Sequence, residues 1–335
     1  MAQTYVSNQP QGVKNYIKNV AIVGAGGNIG KFITEALLKT GKHNVTAITR
    51  EDSSSLMPPG VNVAHVNYDD QPSLVTALQG QEALIITMSV MAPPEQHRKL
   101  IEAAATAGVP WVFPNEFGLD PFNTEISNDV FLGRARAKNR DYIEQLGKSS
   151  WISIACGFWY EFSLGGGPNR YGFDFKNREI TLMDNGTTKI NTSTWPQCGR
   201  AVASLLSLKI FPENEDDTSP CMANFRNKCA YISSFLIGQQ DMLDSVLRVT
   251  GTTLSDWKVS QTTAKERFQS GLDELQRGHN RAAFGRLLYA RNFFPESSGN
   301  FEATKGLHND ILGLPKENLD EFTKVGIQMS ELPPY

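Results

Sequence analysis

The first half of the chain alternates between short apolar runs and longer segments with the apolar spacing of helices. Residues 19–24 form an apolar run rich in β-branched residues, and a glycine turn and a helical segment that stops at Gly41 follow directly. Further strands are predicted at 44–49, 61–66, 83–87, 111–113 and 151–156, and helices at 74–78, 93–108 and 130–147. Near-continuous apolar strands that alternate with helices are typical of a doubly wound parallel sheet in an α/β protein.

The pattern changes after residue 157. Residues 157–175 are rich in aromatic residues and glycine without a clear period, and we expect them to form a loop that lines a pocket. Further on, the spacing predicts helices at 199–208, 239–250, 264–277, 279–291 and 316–328, and a strand at 231–233. We therefore divide the chain into residues 1–157 and a smaller C-terminal substrate region, residues 158–335, which packs partly on the first sheet.

Composition and charge exclude several classes of protein. The chain has 335 residues with 32 Lys and Arg against 35 Asp and Glu, and the signs are mixed along it, so nucleic acid is not expected as a partner. The N-terminal segment is polar, and the longest apolar runs are too short to cross a membrane, which predicts a cytoplasmic protein without membrane contact. Four widely spaced cysteines without a CxxC pair favour isolated thiols in a reducing compartment.

The glycine turn after the first strand predicts a dinucleotide site. Glycines permit the tight turn and let the backbone approach a diphosphate, while the N-terminus of the next helix presents free N–H groups. An isolated glycine pattern is more often an ordinary tight turn, but this one follows a strand, opens a helix and begins an alternating unit. The predicted cofactor-binding residues of the turn are Gly24, Gly26, Gly27, Asn28, Ile29 and Gly30.

The residue after the second strand indicates which dinucleotide is bound. An acidic residue there would accept hydrogen bonds from the ribose 2′-hydroxyl of NAD, whereas an arginine can hold the 2′-phosphate of NADP. This chain has Arg50 at that place, which favours NADP(H). Glu51 beside it weakens the inference, and a surface arginine without a ligand remains the alternative.

Two later strands place further residues at the same edge of the sheet. Met88, Ser89 and Val90 follow the fourth strand, and we expect them to line the ribose and nicotinamide side of the cofactor. Asn115 and Phe117 follow the fifth strand. Phe117 either packs near the nicotinamide or belongs to a loop anchored by the preceding proline.

Several of these segments together resemble one family. GAGGNIG after the first strand, Arg50, LVTALQGQEALI before the fourth strand and WVFPNEFG at the fifth are similar to the NmrA-like and isoflavone-reductase-like branch of the atypical short-chain dehydrogenases. SSWISIACGFWYEFSL and KINTSTWPQCGRAVASLLSL resemble its fungal type. The resemblance covers residues 18–210 well and implies a Rossmann-type domain, bound NADP(H) and a C-terminal region that closes over the substrate.

The resemblance also implies a lysine near the nicotinamide, on the helix after PNEFG. Alignment from one side places Arg134 there, alignment from the other side places Arg136, and a shifted helix would place Lys138. Arg134 and Lys138 share one helical face, whereas Arg136 points elsewhere. Because a desolvated lysine can exchange a proton near neutral pH and an arginine cannot, we choose Lys138 as the catalytic residue. The alternative is that all three cations form a solvated face.

Tyr160 is the second candidate proton donor, because it follows the sixth strand at the ligand-binding edge of the sheet. Phe158 and Trp159 beside it are expected in the pocket wall or the core. No tyrosine has a lysine four residues later, which disfavours the usual Tyr-x-x-x-Lys mechanism of dehydrogenases. No G-x-S-x-G motif occurs, and the five histidines (His43, His65, His97, His279 and His308) lack metal-ligand spacing, so neither a serine hydrolase nor a metal site is expected.

Two functions follow from these residues. The first is an NADPH-dependent reductase of a small aromatic or otherwise unsaturated metabolite, such as a secondary metabolite, with the proton supplied by Lys138 or Tyr160. The second is a non-catalytic NmrA-like sensor that binds NADP(H) and controls a partner protein. The aromatic segment after residue 157 favours the reductase, whereas the altered lysine position favours the sensor.

Overall fold

The computed structural model of the chain describes residues 4–89, 92–278, 281–296 and 298–332. Its strands are β1 (Asn19–Val23), β2 (Asn44–Arg50), β3 (Asn62–Val66), β4 (Ala83–Ile86), β5 (Trp111–Phe113), β6 (Phe117–Gly118), β7 (Ser150–Ala155), β8 (Phe158–Trp159), β9 (Phe173–Asp174), β10 (Glu179–Met183), β11 (Ile190–Ser193), β12 (Lys228–Tyr231), β13 (Phe235–Ile237) and β14 (Lys258–Thr262). Its helices are α1 (Asn28–Lys39), α2 (Gln71–Leu78), α3 (Pro94–Ala107), α4 (Thr124–Asp129), α5 (Gly133–Leu146), α6 (Tyr160–Leu164), α7 (Trp195–Leu206), α8 (Gln239–Thr250), α9 (Ala264–Arg277), α10 (Arg281–Asn292), α11 (Glu302–Lys305) and α12 (Leu319–Ser330).

The main sheet is parallel throughout. Among the described residues its strand order is β12-β7-β5-β4-β1-β2-β3, and the short strand β6 pairs with β7. The central strands are apolar along their whole length because helices cover both faces; β4, for example, is buried at each of its residues. This architecture confirms the prediction of a doubly wound α/β fold.

Helices α1 and α7 cover one face of the sheet, and α2, α3 and α5 cover the other. The first pair approaches closely at Gly199, where a Cβ would lie 2.4 Å from the carbonyl oxygen of Phe32. Both α7 and β12 come from residues beyond 157, so the layers of the first core draw on both halves of the sequence. The predicted division at residue 157 therefore separates stretches of sequence that share one sheet.

The C-terminal region has a second apolar core built on two small sheets. Their strand orders are β14-β10-β9 and β13-β11-β8, and helices α8, α9, α10 and α12 surround them. Two expectations need correction here. The loop expected over residues 157–175 contains β8, α6 and β9, and the strand expected at 231–233 runs over Lys228–Tyr231 as β12.

The cysteines do not form disulfides. Cys156, Cys198, Cys221 and Cys229 are all free thiols, and all four are buried. Burial raises the pKa of the Cys229 thiol far above its ordinary value. Within the described parts of the chain, no helix is long and apolar enough to cross a membrane.

Candidate functional site

The glycine turn between β1 and α1 has no room for side chains. Gly24 has a φ of +79°, and a Cβ there would lie 2.3 Å from the carbonyl oxygen of Thr87 at the end of β4. A Cβ on Gly26 would lie 2.5 Å from the carbonyl oxygen of Leu56, and one on Gly30 would lie 1.9 Å from that of Gly24. The turn is therefore packed backbone against backbone, which is the arrangement that lets a diphosphate approach main-chain amides.

The N-terminus of α1 supplies the donors at this turn. Gly27 is the N-cap residue, and its own N–H donates to the carbonyl oxygen of Gly24 over 2.9 Å. The N–H groups of the first helical turn have no acceptor four residues earlier, and the helix dipole adds partial positive charge to them. Within this helix Asn28 is exposed, whereas Ile29 and Gly30 are buried. This end of the 12-residue helix is therefore suited to an anion.

A groove of about 480 Å³ runs from the turn to the ends of β2 and β4. Six of the predicted cofactor residues line it: Gly24, Gly26, Gly27, Arg50, Met88 and Ser89. Thr87 also lines it, and its hydroxyl donates to the carbonyl oxygen of Val23 over 2.7 Å, which joins β4 to β1 under the turn. The sequence prediction missed Thr87 because it ends an apolar strand and carries no motif of its own.

Arg50 ends β2 at the rim of this groove. Its guanidinium lies 3.6 Å from the carboxylate of Asp52, and both side chains are mostly exposed. Such an exposed pair contributes little, so a phosphate could compete for the guanidinium. Tyr68 lines the same end, and burial raises its pKa to about 12, so its phenol remains neutral beside any anion bound there.

Met88 and Asn115, which follow the neighbouring strands β4 and β5, are joined by a hydrogen bond. The Asn115 side chain donates to the carbonyl oxygen of Met88 over 3.0 Å. The backbone N–H of Asn115 points at Nε2 of His97, 3.4 Å away, and Nδ1 of that ring lies 2.6 Å from the side-chain amide of Asn139 on α5. From the sequence alone, His97 was considered only as a metal ligand. Its position in the first turn of α3, after β4, could have placed it at the carboxyl edge of the sheet.

Arg136 lies on the inward side of α5, as Arg140 does. Arg134 and Lys138 are both exposed, whereas Arg136 turns inward and its Nη2 lies 3.9 Å from where a Cβ on Gly118 would be. Burial lowers the pKa of Arg136, and the nearby Glu116 carboxylate partly opposes this. The structure therefore places Arg136, and not Lys138, at the carboxyl ends of β6 and β7.

Glu116 and Arg140 form a buried ion pair beside Arg136. Nη1 of Arg140 donates to Oε2 of Glu116 over 2.6 Å, and both side chains are more than nine-tenths buried. Phe122 and Trp151 lie against the Arg140 guanidinium at 5.0 and 5.4 Å. Burial raises the pKa of Glu116, although both arginines act to lower it. Two guanidinium groups against one carboxylate leave this corner with an excess of positive charge.

The aromatic residues after β7 do not gather around the groove. Tyr160 is fully buried in the C-terminal core, where its hydroxyl hydrogen bonds with Thr323 over 2.7 Å, and burial raises its pKa far above the ordinary value. Phe158 stacks on Tyr289 in the same core. This placement does not support Tyr160 as a proton donor or Phe158 as pocket wall, because both are buried in the C-terminal core and neither lines the groove.

Trp159 lies instead in an aromatic cluster over α1 and α7. Its ring contacts those of Phe162 and Trp195 at 5.7 and 5.9 Å between centroids. Glu161 is buried beneath the cluster and accepts a hydrogen bond from the backbone N–H of Trp195 over 2.8 Å. Burial raises the pKa of this carboxyl to about 7.

The remaining predicted positions have different outcomes. Phe117 belongs to β6, pairs with Ile154 and is buried in the core on the α1 side of the sheet. Val90 and His279 lie outside the described residues. Among the residues that the structure describes, no group of three or more His, Cys, Asp or Glu is placed to hold a metal ion.

Comparison with known proteins identifies the family. A model described as the NmrA-like family matches residues 17–199, more than half of the 335 residues, so the chain belongs to the NmrA-like family. Oxidoreductase aprR of Aspergillus flavus is 28% identical over 308 residues, which are 90% of this chain and 96% of that protein.

Solved structures agree with the fold. Those of pinoresinol-lariciresinol and phenylcoumaran benzylic ether reductases give a TM-score of 0.71 at 19% identity and cover 91% of this chain and 98% of the other. A structure described as AtPrR2 with NADP⁺ and (+)pinoresinol gives 0.68 at 16% identity and covers 94% and 100%. The family resemblance expected from the sequence is thereby confirmed.

Proposed function

We propose that the protein is an NADPH-dependent reductase of a small aromatic or otherwise unsaturated metabolite. The protein is an oxidoreductase, and its cofactor is NADP(H). The observation that carries the proposal is the groove at the glycine turn, which runs past Met88 while Arg136 faces the ends of β6 and β7. The oxidoreductase named among its relatives and the NADP⁺ complex of a structural neighbour support the same conclusion.

The residues of the groove suit each part of the dinucleotide. The amides of Asn28, Ile29 and Gly30 would hold the diphosphate at the N-terminus of α1. Arg50 would pair with the 2′-phosphate, and the Met88–Asn115 hydrogen bond would fix the wall at the nicotinamide end. When bound, NADPH supplies a hydride to an electron-poor carbon of the substrate.

Arg136 stabilises the negative charge that the substrate oxygen acquires as its carbon is reduced. A guanidinium can donate two hydrogen bonds to such an oxygen, and the buried surroundings strengthen the interaction. Arginine does not release its proton near neutral pH, so the product oxygen takes its proton from water. In this proposal Arg136 binds the substrate oxygen, and Lys138, the proton donor expected from the sequence, is exposed and takes no part.

Turnover of a quinone and enone panel with NADPH tests this assignment. We expect Arg136→Ala to lower kcat/KM by about 100-fold or more, because it removes the oxyanion donor, while NADP⁺ affinity stays within about twofold. Arg134→Ala, on the exposed face of the same helix, is the matched control and should change little. Loss of turnover in Lys138→Ala with normal turnover in Arg136→Ala would overturn the assignment and favour Lys138.

Cofactor choice is tested separately by calorimetry. Arg50→Ala should weaken NADPH binding much more than NADH binding, because NADH lacks the 2′-phosphate. Equal weakening of both would contradict the role of Arg50.

The non-catalytic sensor is the second candidate, and the inward-facing arginine in place of a proton-exchanging lysine favours it. Tight NADP(H) binding with no turnover across the whole panel would support the sensor against the reductase.

A further inference from the structure

A second cavity lies beyond the ends of β6 and β7, outside the dinucleotide groove. It has a volume of about 370 Å³. Leu119 and Asp120, which follow β6, form one side together with Gly157, which follows β7. Helix α4 forms a further side, and residues 292–296 and 298–304 close the cavity from the C-terminal region. Leu119 directly follows Gly118, beside which Arg136 lies, so one wall of the cavity begins one residue beyond the proposed reaction site.

Asp120 presents a carboxylate to this cavity. The side chain is 8% exposed, and its Oδ1 accepts two hydrogen bonds, from the hydroxyl of Tyr231 and from the backbone N–H of Phe122, both over 2.9 Å. Both donors therefore use one oxygen. Its Oδ2 accepts no hydrogen bond from any residue in the described ranges, so this oxygen is available to a ligand.

The charge of the cavity wall is negative. Asp120 and Glu296 line it, and of the described residues no lysine, arginine or histidine does. Glu296 stands at the outer side and pairs with Lys265, which leaves Asp120 as the inner charge. Arg291, fully buried behind the wall, is paired with Glu125 and Asp129 of α4 and so does not neutralise Asp120.

The rest of the wall combines amides with apolar groups. Asn292 and Asn300 contribute amide groups, whereas Ile126 and Phe301 contribute hydrocarbon surface. A ring would find apolar contact here, and a hydrogen-bond donor on that ring would find an acceptor at Asp120. A carboxylate would meet a like charge in a partly buried place, which is unfavourable.

We propose that this cavity binds the part of the substrate remote from the reduced carbon, and that Asp120 selects substrates whose remote end carries a hydrogen-bond donor, a hydroxyl or an ammonium group, against those that carry a carboxylate. The inference rests on the proposed reductase function and adds the chemical class of its substrate. Asp120 acts here as a specificity residue, not as a participant in hydride transfer.

Four benzylideneacetones test the proposal, with hydroxymethyl, aminomethyl, methoxymethyl or carboxylate groups at the para position. Calorimetric Kd for each with the NADP⁺-saturated protein is measured beside KM. We expect the hydroxymethyl and aminomethyl compounds to bind at least tenfold more tightly than the carboxylate. Asp120→Asn keeps an acceptor for Tyr231 and Phe122, should weaken the aminomethyl compound about tenfold or more, and should improve the carboxylate.

The control variant is Asp216→Asn, which removes the same charge from an exposed loop and should leave all four affinities unchanged. The difference between the hydroxymethyl and methoxymethyl compounds isolates hydrogen-bond donation, because the ether cannot donate. Equal weakening of all four compounds by Asp120→Asn, preferential binding of the carboxylate, or no binding of any compound would overturn the proposal. Selective binding without NADPH oxidation would keep the inference and refute the reductase function.

Discussion

His97 shows how one side chain can fix the end of a strand. Its ring connects α3 to the backbone of Asn115 and to Asn139 on α5. Burial lowers its pKa to about 4. Protonation would in addition set an N–H on Nε2 against the N–H of Asn115, so the neutral ring is the form that this environment accepts.

Stability should therefore fall in mild acid. The pKa of His97 is about 4 in the folded protein against an ordinary 6.5, so between these values the unfolded chain binds more protons. We expect the contribution of His97 to the free energy of unfolding to be fully present above pH 6.5. It should decrease as the pH falls toward 4, by about 3 kcal/mol in all.

Urea denaturation of the protein and of His97→Asn at pH 7.5 and pH 5 measures this contribution. The variant should lose less stability between the two pH values than the unchanged protein does. His43 and His308, whose pKa values burial also lowers, remain in both proteins and cancel in the comparison. An identical pH dependence in the variant would show that His97 is not responsible.

At the scale of elements, α1 is the helix whose position decides cofactor binding. It follows β1 through a turn in which Gly30 touches the backbone of Gly24, and it packs on α7 through Gly199. Both close approaches depend on a missing Cβ. Displacement of the helix would move its N-terminal amides away from the groove.

Gly30→Ala should therefore both destabilise the protein and weaken NADP⁺ binding. A Cβ 1.9 Å from a carbonyl oxygen forces the helix away from β1, and we expect a loss of about 1–3 kcal/mol and at least tenfold in affinity. Gly285→Ala, in the middle of α10 with no atom within 4 Å of the added Cβ, is the control. Because it reduces the freedom of the unfolded chain, it should stabilise by about 0.5–1 kcal/mol. Equal changes in the free energy of unfolding of Gly30→Ala and Gly285→Ala, measured by urea denaturation, would contradict this account.

Elements of the main sheet were predictable, but the direction of one helix face was not. The strands are predictable from their apolar runs, because a parallel sheet covered on both faces requires apolar residues at each position. Helix α1 is predictable from the spacing of its apolar residues. Helix α5 is mostly polar, with Arg140 and Ile143 as its buried residues, so its pattern could not show that Arg136 faces inward. The break before it at Phe131, which has a φ of +62°, also carries no glycine to indicate it.

The C-terminal region was harder to predict because its strands are short and its contacts are distant in sequence. Strands β8 and β9 have two residues each, too few to show an alternating pattern. Phe158 and Tyr160 face a core that includes residues more than 100 positions later, such as Tyr289 and Thr323. The local sequence pattern therefore could not show which distant residues Phe158 and Tyr160 pack against.

For the whole molecule, the shared sheet predicts that the first 157 residues do not fold alone. Without α7 the apolar side of α1 loses its cover, and without β12 strand β7 becomes an edge. We expect a 1–157 fragment to lack a cooperative thermal transition and NADP⁺ binding, while the full chain shows both. Circular dichroism and calorimetry on the two proteins make the comparison. A fragment that melts cooperatively and binds NADP⁺ would establish an independent domain ending at residue 157.

The four buried cysteines can report how often separate parts of the native structure open to solvent. Alkylating reagents react with thiolates that solvent can reach, and all four cysteines are buried. Labelling of the native protein must therefore wait for an opening event, and its speed at each position reports how often that part of the structure separates. Cys198 on α7 and Cys229 on β12 would report on the two elements that join the halves of the sequence.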